Sequence, residues 1–275
     1  MKEELNRFNP ANSGICHGTC AYCDQRVGAT GRSPLRECGR RTESELVVKP
    51  KAPLCVIAPE EGRDPYDAAE GRCQATRHRL QEVRDAGTPV LLITRSDRVL
   101  RDLPLLAEIA RGGGATLLAA VATLDPELAA FWEPESPPPD RRLAVLRPAA
   151  EAGVAAGLLA SPLVPYLMDD HSSLRRLLAA AADAGARFFL AEMMALPPGA
   201  YRERALRLLA ERWPQLLGPV RGLYGDASEP PQAYLDRVTE DARRIGSTLA
   251  LPHGLPRSWS PGALLAAAFA DRLRS

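Results

Sequence analysis

Residues 86–94 read Ala86-Gly87-Thr88-Pro89-Val90-Leu91-Leu92-Ile93-Thr94, joining the end of a helical pattern to an unbroken apolar run. A glycine at that point supplies the left-handed position that closes a helix. A run without polar alternation is what a parallel strand, covered on both faces, requires. The same unit recurs outward in both directions. Apolar runs at 53–58, 89–94, 115–123, 154–160 and 186–192 alternate with helical patterns at 70–86, 102–111, 140–152, 171–184 and 199–212. Ala152-Gly153 and Ala184-Gly185 repeat the closing signal. A more polar strand at 5–12 would precede them all.

Serial β/α units predict an α/β protein, a partial (β/α)6 barrel of TIM type. A doubly wound sheet is the alternative, because alternation alone does not separate the two. In both, ligands sit beyond the C-terminal ends of the strands. Residues 213–275 leave the rhythm, with helical segments at 230–245 and 261–273. The expected organisation is therefore a core over 1–212 and a C-terminal helical extension over 213–275, packed on the barrel. Pro148 inside the 140–152 pattern predicts a lost backbone hydrogen bond and a kink.

Composition narrows the class. The 275 residues are 45% hydrophobic, enough for a large core without staples. No apolar stretch approaches the ~18 residues of a bilayer span, and no signal peptide or lipidation motif is visible. The expectation is a cytoplasmic protein with no membrane partner. Six cysteines then imply a reducing compartment and free thiols rather than a disulfide framework. The net charge of +1 gives no global pull toward nucleic acid. One local stretch is basic: Arg26, Arg32, Arg36, Arg40, Arg41, Lys49 and Lys51 face Glu37, Glu43 and Glu45. It reads as a phosphate contact or as a solvated loop.

Chemistry concentrates in Cys16-His17-Gly18-Thr19-Cys20-Ala21-Tyr22-Cys23. A C-x3-C-x2-C loop can aim three thiolates at one point but supplies no fourth. Cysteine thiolates hold iron–sulfur cubes, and a [4Fe–4S] cube has four corners, so three ligands leave one iron open to a small molecule. The competing reading is a closed structural zinc site, with Cys38 recruited to Cys16, Cys20 and Cys23. His17 reads as a loop residue rather than a ligand.

This loop resembles that of the radical S-adenosylmethionine (radical SAM) superfamily. Further motifs are similar to the branch typified by spore photoproduct lyase: Asn9-Pro10, Asp64-Pro65-Tyr66, Glu70, Thr76-Arg77, Thr94-Arg95-Ser96, Leu100-Arg101-Asp102-Leu103, Thr123-Leu124-Asp125, Glu133-Pro134, Arg141-Arg142-Leu143 and Pro162-Leu163-Val164-Pro165. The resemblance implies an enzyme whose cluster, bound by Cys16, Cys20 and Cys23, cleaves SAM reductively to a 5′-deoxyadenosyl radical that abstracts hydrogen from substrate. It implies SAM contacts from Tyr22, Asp64, Glu70, Arg95 and Thr123, with Arg95 where relatives place a lysine against the SAM carboxylate. Asp64 and Glu70 also read as helix caps. Cys73 is a candidate hydrogen donor, and Cys55 reads as core. An external electron donor of flavodoxin or ferredoxin type would be a partner, and nucleic acid is a further partner the branch implies. The substrate would be a DNA lesion, or else a peptide or small metabolite. A cluster-bearing scaffold without SAM turnover is the non-catalytic alternative, as Arg95 and Ala120 depart from the branch pattern.

Overall fold

The computed structural model describes residues 55–59, 64–112 and 114–255. Within them the sheet has five parallel strands: β1 (Cys55–Ile57), β2 (Val90–Thr94), β3 (Ala115–Ala120), β4 (Ala155–Leu163) and β5 (Phe189–Met193). Each apolar run of the sequence falls on one of them, with β4 extending beyond its run to Leu163 and β5 to Met193. Their spatial order is β1-β2-β3-β4-β5, so every strand lies beside its predecessor in the chain. A doubly wound sheet reverses its order at a switch point, and this one does not. The winding is that of a barrel wall, with one end of every strand pointing the same way.

Strand alternation separates two apolar layers. Val90, Leu92, Leu117, Ala119, Ala156 and Leu158 face outward into the main core with the helices. Leu91, Ile93, Leu118, Ala155, Leu159 and Leu190 face inward and line the concave side. The floor of that side is closed by Phe188 and Leu255, both buried. Gly157 makes room for the Phe188 ring, since a Cβ there would stand 2.3 Å from it.

The helices are α1 (Glu70–Cys73), α2 (Ala75–Asp85), α3 (Leu103–Gly112), α4 (Pro126–Trp132), α5 (Pro139–Leu143), α6 (Leu146–Glu151), α7 (His171–Asp183), α8 (Ala200–Arg212), α9 (Pro214–Tyr224) and α10 (Gln232–Thr248). A 3₁₀ turn, Asp97–Asp102, leads into α3 and is started by the Ser96 hydroxyl, which accepts from the Arg98 N–H.

Two continuous helical patterns are in fact broken. The 70–86 pattern divides at Gln74, which adopts φ 47° between α1 and α2. The Glu70 carboxylate accepts from the Thr76 and Arg77 N–H groups and so starts a second helix. The 140–152 pattern divides into α5 and α6, which corrects the expected kink at Pro148. That proline falls in the first turn of α6, where a backbone N–H has no helical partner to lose.

After α8 and α9, helix α10 buries Val238, Ala242 and Ile245 in the main core. The chain then turns back so that His253 bridges Phe189 in parallel. The strand at 5–12, the cysteine loop, the basic stretch and the 261–273 segment lie outside the described residues. Among the described residues no helix is long and apolar enough to cross a membrane.

Candidate functional site

The C-terminal rim of the sheet gathers a row of charges. It begins with Asp64, in the segment between β1 and α1. Its Oδ1 accepts from the Tyr66 N–H at 2.9 Å and from the Thr94 hydroxyl at 2.5 Å, and its Oδ2 accepts from the Arg95 N–H at 2.6 Å. One carboxylate thus ties the loop after β1 to the last residue of β2 and the first beyond it. The Thr94 hydroxyl also accepts from the Ser96 N–H at 3.0 Å, completing the turn.

Arg95 emerges from this turn with only 8% of its surface exposed. Its Nε lies 3.8 Å from Asp64 Oδ2 and its Nη1 3.7 Å from Glu133 Oε1. These separations are Coulombic rather than short hydrogen bonds. Glu133 follows the last residue of α4, whose end is fixed by Trp132 stacked on Trp213, centroids 6.3 Å apart and planes 6° apart. The other oxygen of Glu133 accepts from Arg142 Nη1, and Arg142 Nε donates to the Pro137 carbonyl at 2.6 Å. The row Asp64–Arg95–Glu133–Arg142 therefore alternates in sign and sums to zero, which lets four charges share a poorly hydrated place.

Beneath it lies a second polar knot. Asp102 is fully buried and accepts from the Tyr66 hydroxyl at 3.2 Å, from Arg77 Nη1 at 2.5 Å, and from Arg101 Nε and Nη2 at 3.1 and 2.6 Å. Arg101 Nη2 also donates to Glu70 Oε1 at 2.6 Å. Burial above all, then the Asp102 charge and bond, push the Tyr66 phenol far up, so it stays a neutral donor.

Asp64-Pro65-Tyr66, Glu70 and Thr76-Arg77 thus converge as a fastening. Glu70 takes the capping role that the sequence also allowed, with both oxygens bonded to protein. Thr123 lies beyond β3, half-buried, and its hydroxyl accepts from the Asp125 N–H at 3.1 Å. Cys55 is buried in the core, and burial raises its thiol pKa. Cys73, the last residue of α1, is half-buried. Cys16, Cys20, Cys23 and Tyr22 lie outside the described residues, and among the described residues no group of side chains is arranged to hold a metal ion.

Across the rim, on the inward face, Ser161 of β4 donates to Glu192 Oε2 of β5 at 3.2 Å. Protein atoms crowding Glu229, and then the Glu192 charge, hold the Glu229 carboxyl above its usual range although the residue is at the surface. Nearby, Tyr166 stands 43% exposed with φ 64°. Buried Asp169 accepts from its N–H at 2.7 Å and from the Tyr234 hydroxyl at 2.5 Å. From the sequence, Glu133, Arg142 and Asp102 carry no assigned role, and Glu192 does not stand out as a site residue. For Glu192 the signal was a charged residue closing an apolar run.

No family model matches the chain. An uncharacterized protein of Mycobacterium tuberculosis is 32% identical over 233 residues, covering 85% of this chain and 64% of the relative, and a Mycobacterium bovis protein gives the same figures. The chain thus spans 64% of the length of these curated relatives. Among solved structures, SuiB of Streptococcus suis bound to its precursor peptide SuiA superposes with a TM-score of 0.55, over 88% of this chain and 46% of that one, at 14% identity. A spore photoproduct lyase variant with bound AdoMet and dinucleoside spore photoproduct gives 0.49, over 67% and 57%, at 15% identity. SuiB is a radical SAM enzyme. The fold is that of the radical SAM partial barrels, the superfamily whose cysteine signature this sequence resembles.

Proposed function

We propose that the protein is a radical SAM enzyme that holds a [4Fe–4S] cluster through Cys16, Cys20 and Cys23 and uses SAM for hydrogen abstraction from a substrate. The observation that carries this reading is Arg95, an enclosed cation fixed between carboxylates at the C-terminal mouth of an apolar, consecutively wound sheet. When bound, the cluster supplies the low-potential electron for reductive cleavage of SAM.

The chain's own residues do the rest. Arg95 offers a guanidinium fork to the SAM carboxylate, a pairing that is charge-assisted and orienting. Asp64 sets the turn that presents it, and Thr123 and Tyr22 supply further contacts along the ligand. Glu70 is assigned to the framework, because its oxygens serve α2 and Arg101. The inward wall of Leu91, Ile93, Leu118, Ala155 and Leu159 excludes water, which a reactive intermediate requires of its protein. A flavodoxin- or ferredoxin-type protein would supply electrons.

Among substrates, Glu192 and Glu229 favour a tailoring reaction on a peptide or small metabolite over repair of a DNA lesion. Two carboxylates on the described rim repel a phosphate backbone.

The test is anaerobic reconstitution with iron and sulfide, followed by dithionite and SAM. The expected result is brown protein that forms 5′-deoxyadenosine well above a Cys20→Ala control. Colourless protein that retains zinc through Cys16, Cys20, Cys23 and Cys38 would overturn the reading. Iron uptake with no 5′-deoxyadenosine above the control would leave a cluster-bearing scaffold instead.

A further inference from the structure

We propose that Glu133 and Arg142 form a buried anchor that positions Arg95 for the carboxylate of SAM; the inference rests on the reading of Arg95 given above. Arginine is a long side chain with many rotamers, and its planar fork works only when correctly oriented. The structure restrains Arg95 at both ends. Its backbone N–H is held by Asp64 Oδ2 at 2.6 Å, and its guanidinium faces Glu133 Oε1 at 3.7 Å.

Glu133 cannot swing away from that position. It is 3% exposed, begins where α4 stops, and has its second oxygen engaged by Arg142 Nη1. Arg142 is itself 1% exposed and tied through Nε to the Pro137 carbonyl. The arrangement is an expensive way to fill a core. Burying an ion pair is commonly no better for stability than packing apolar groups of the same volume. Here one nitrogen of the pair, Arg142 Nη2, is buried with no hydrogen-bond partner among the described residues. Stability alone therefore does not account for the pair. Its geometry relative to Arg95 does: an anion is presented to the guanidinium, and that anion is made rigid by a second cation bonded to it. Glu133 and Arg142 are positioning residues, since they act through Arg95.

The experiment measures equilibrium binding of SAM and of decarboxylated SAM to the anaerobically reconstituted full chain. Decarboxylated SAM lacks only the group that Arg95 would meet. Arg95→Ala is expected to weaken SAM binding about tenfold while decarboxylated SAM changes less than about twofold. Glu133→Gln is expected to lose the same discrimination. Because it strands Arg142, the pair is also replaced together, with Glu133→Leu and Arg142→Met keeping volume without charge; the discrimination should again be lost while the thermal midpoint holds. Should the double variant not fold, Glu133→Asp takes its place, keeping the charge but shortening its reach, with the same loss expected.

A folded pair variant that still prefers SAM as the wild type does, while Arg95→Ala does not, overturns the anchor and leaves the Arg95 reading intact. If Arg95→Ala also keeps the preference, the Arg95 reading falls and the anchor falls with it.

Discussion

His253 sits where the chain returns beneath β5, its ring edge-on to Phe189 with centroids 5.0 Å apart. Its Nδ1 accepts from Arg243 Nε at 3.4 Å, and its buried Nε2 has no hydrogen-bond partner among the described residues. Burial, and secondarily the Arg243 charge, push its pKa down to about 4. The folded protein therefore resists protonation that the unfolded chain accepts at an ordinary 6.5. The neutral ring contributes stability fully above 6.5, and that contribution falls as the pH drops from 6.5 toward about 4. The slope approaches ~1.4 kcal/mol per pH unit. Urea midpoints taken across this window should fall more steeply for the wild type than for His253→Leu, and parallel curves would refute the assignment.

The same scale shows what residue types leave open. Glu70 and Asp64 lie in a stretch that resembles ligand chemistry, and here their oxygens accept from Thr76, Arg77, Arg101, Thr94 and Arg95. A carboxylate's partners lie as far as 31 residues away in the chain, so spacing within a motif does not disclose them.

At the scale of elements, periodicity served well and ends served poorly. Apolar runs became strands because both faces of each are covered, which is a property of the run itself. Helix breaks depended on side chains that the apolar pattern passes over. The division at Gln74 needs the Glu70 carboxylate as a cap, and that between α5 and α6 leaves Pro148 in a first turn. Glycines within helices give a clean comparison. Gly222, in α9, has nothing within 4 Å of an added Cβ. Gly222→Ala is expected to raise stability by about 0.5–1 kcal/mol, since alanine loses less entropy in a helix. Gly246, in α10, would bring a Cβ to 2.4 Å from the Leu251 carbonyl oxygen and 2.6 Å from the Phe189 ring. Gly246→Ala should therefore destabilise, by about 1–3 kcal/mol. Chemical denaturation of the two variants side by side checks both signs, and a stabilised Gly246→Ala would contradict the packing of α10 on β5.

Taken as a whole, the molecule is a wall with two differently used sides. The outer side carries the helices and most of the core. The inner side is apolar above a floor of Phe188 and Leu255, with Arg95 on one flank of the rim and Glu192 on the other. The floor decides how deep any ligand can sink. Phe188→Ala should cost about 3–5 kcal/mol, because Gly157 supplies no side chain to refill the space. A loss below about 1 kcal/mol in urea unfolding would show that the ring does not fill that floor.

Strand positions and the parallel character of the sheet were legible in the chain, because each follows from a repeating local pattern: an apolar run, a helix, a closing glycine. The consecutive strand order was not, since alternation is common to barrels and doubly wound sheets and only the crossovers choose between them. Nor was the row from Asp64 through Arg95 and Glu133 to Arg142, whose members follow three different strands, β1, β2 and β3. Such charges find one another only when the sheet brings its strand ends into line. Their pairing is a property of three-dimensional proximity and burial, which no spacing along the backbone encodes.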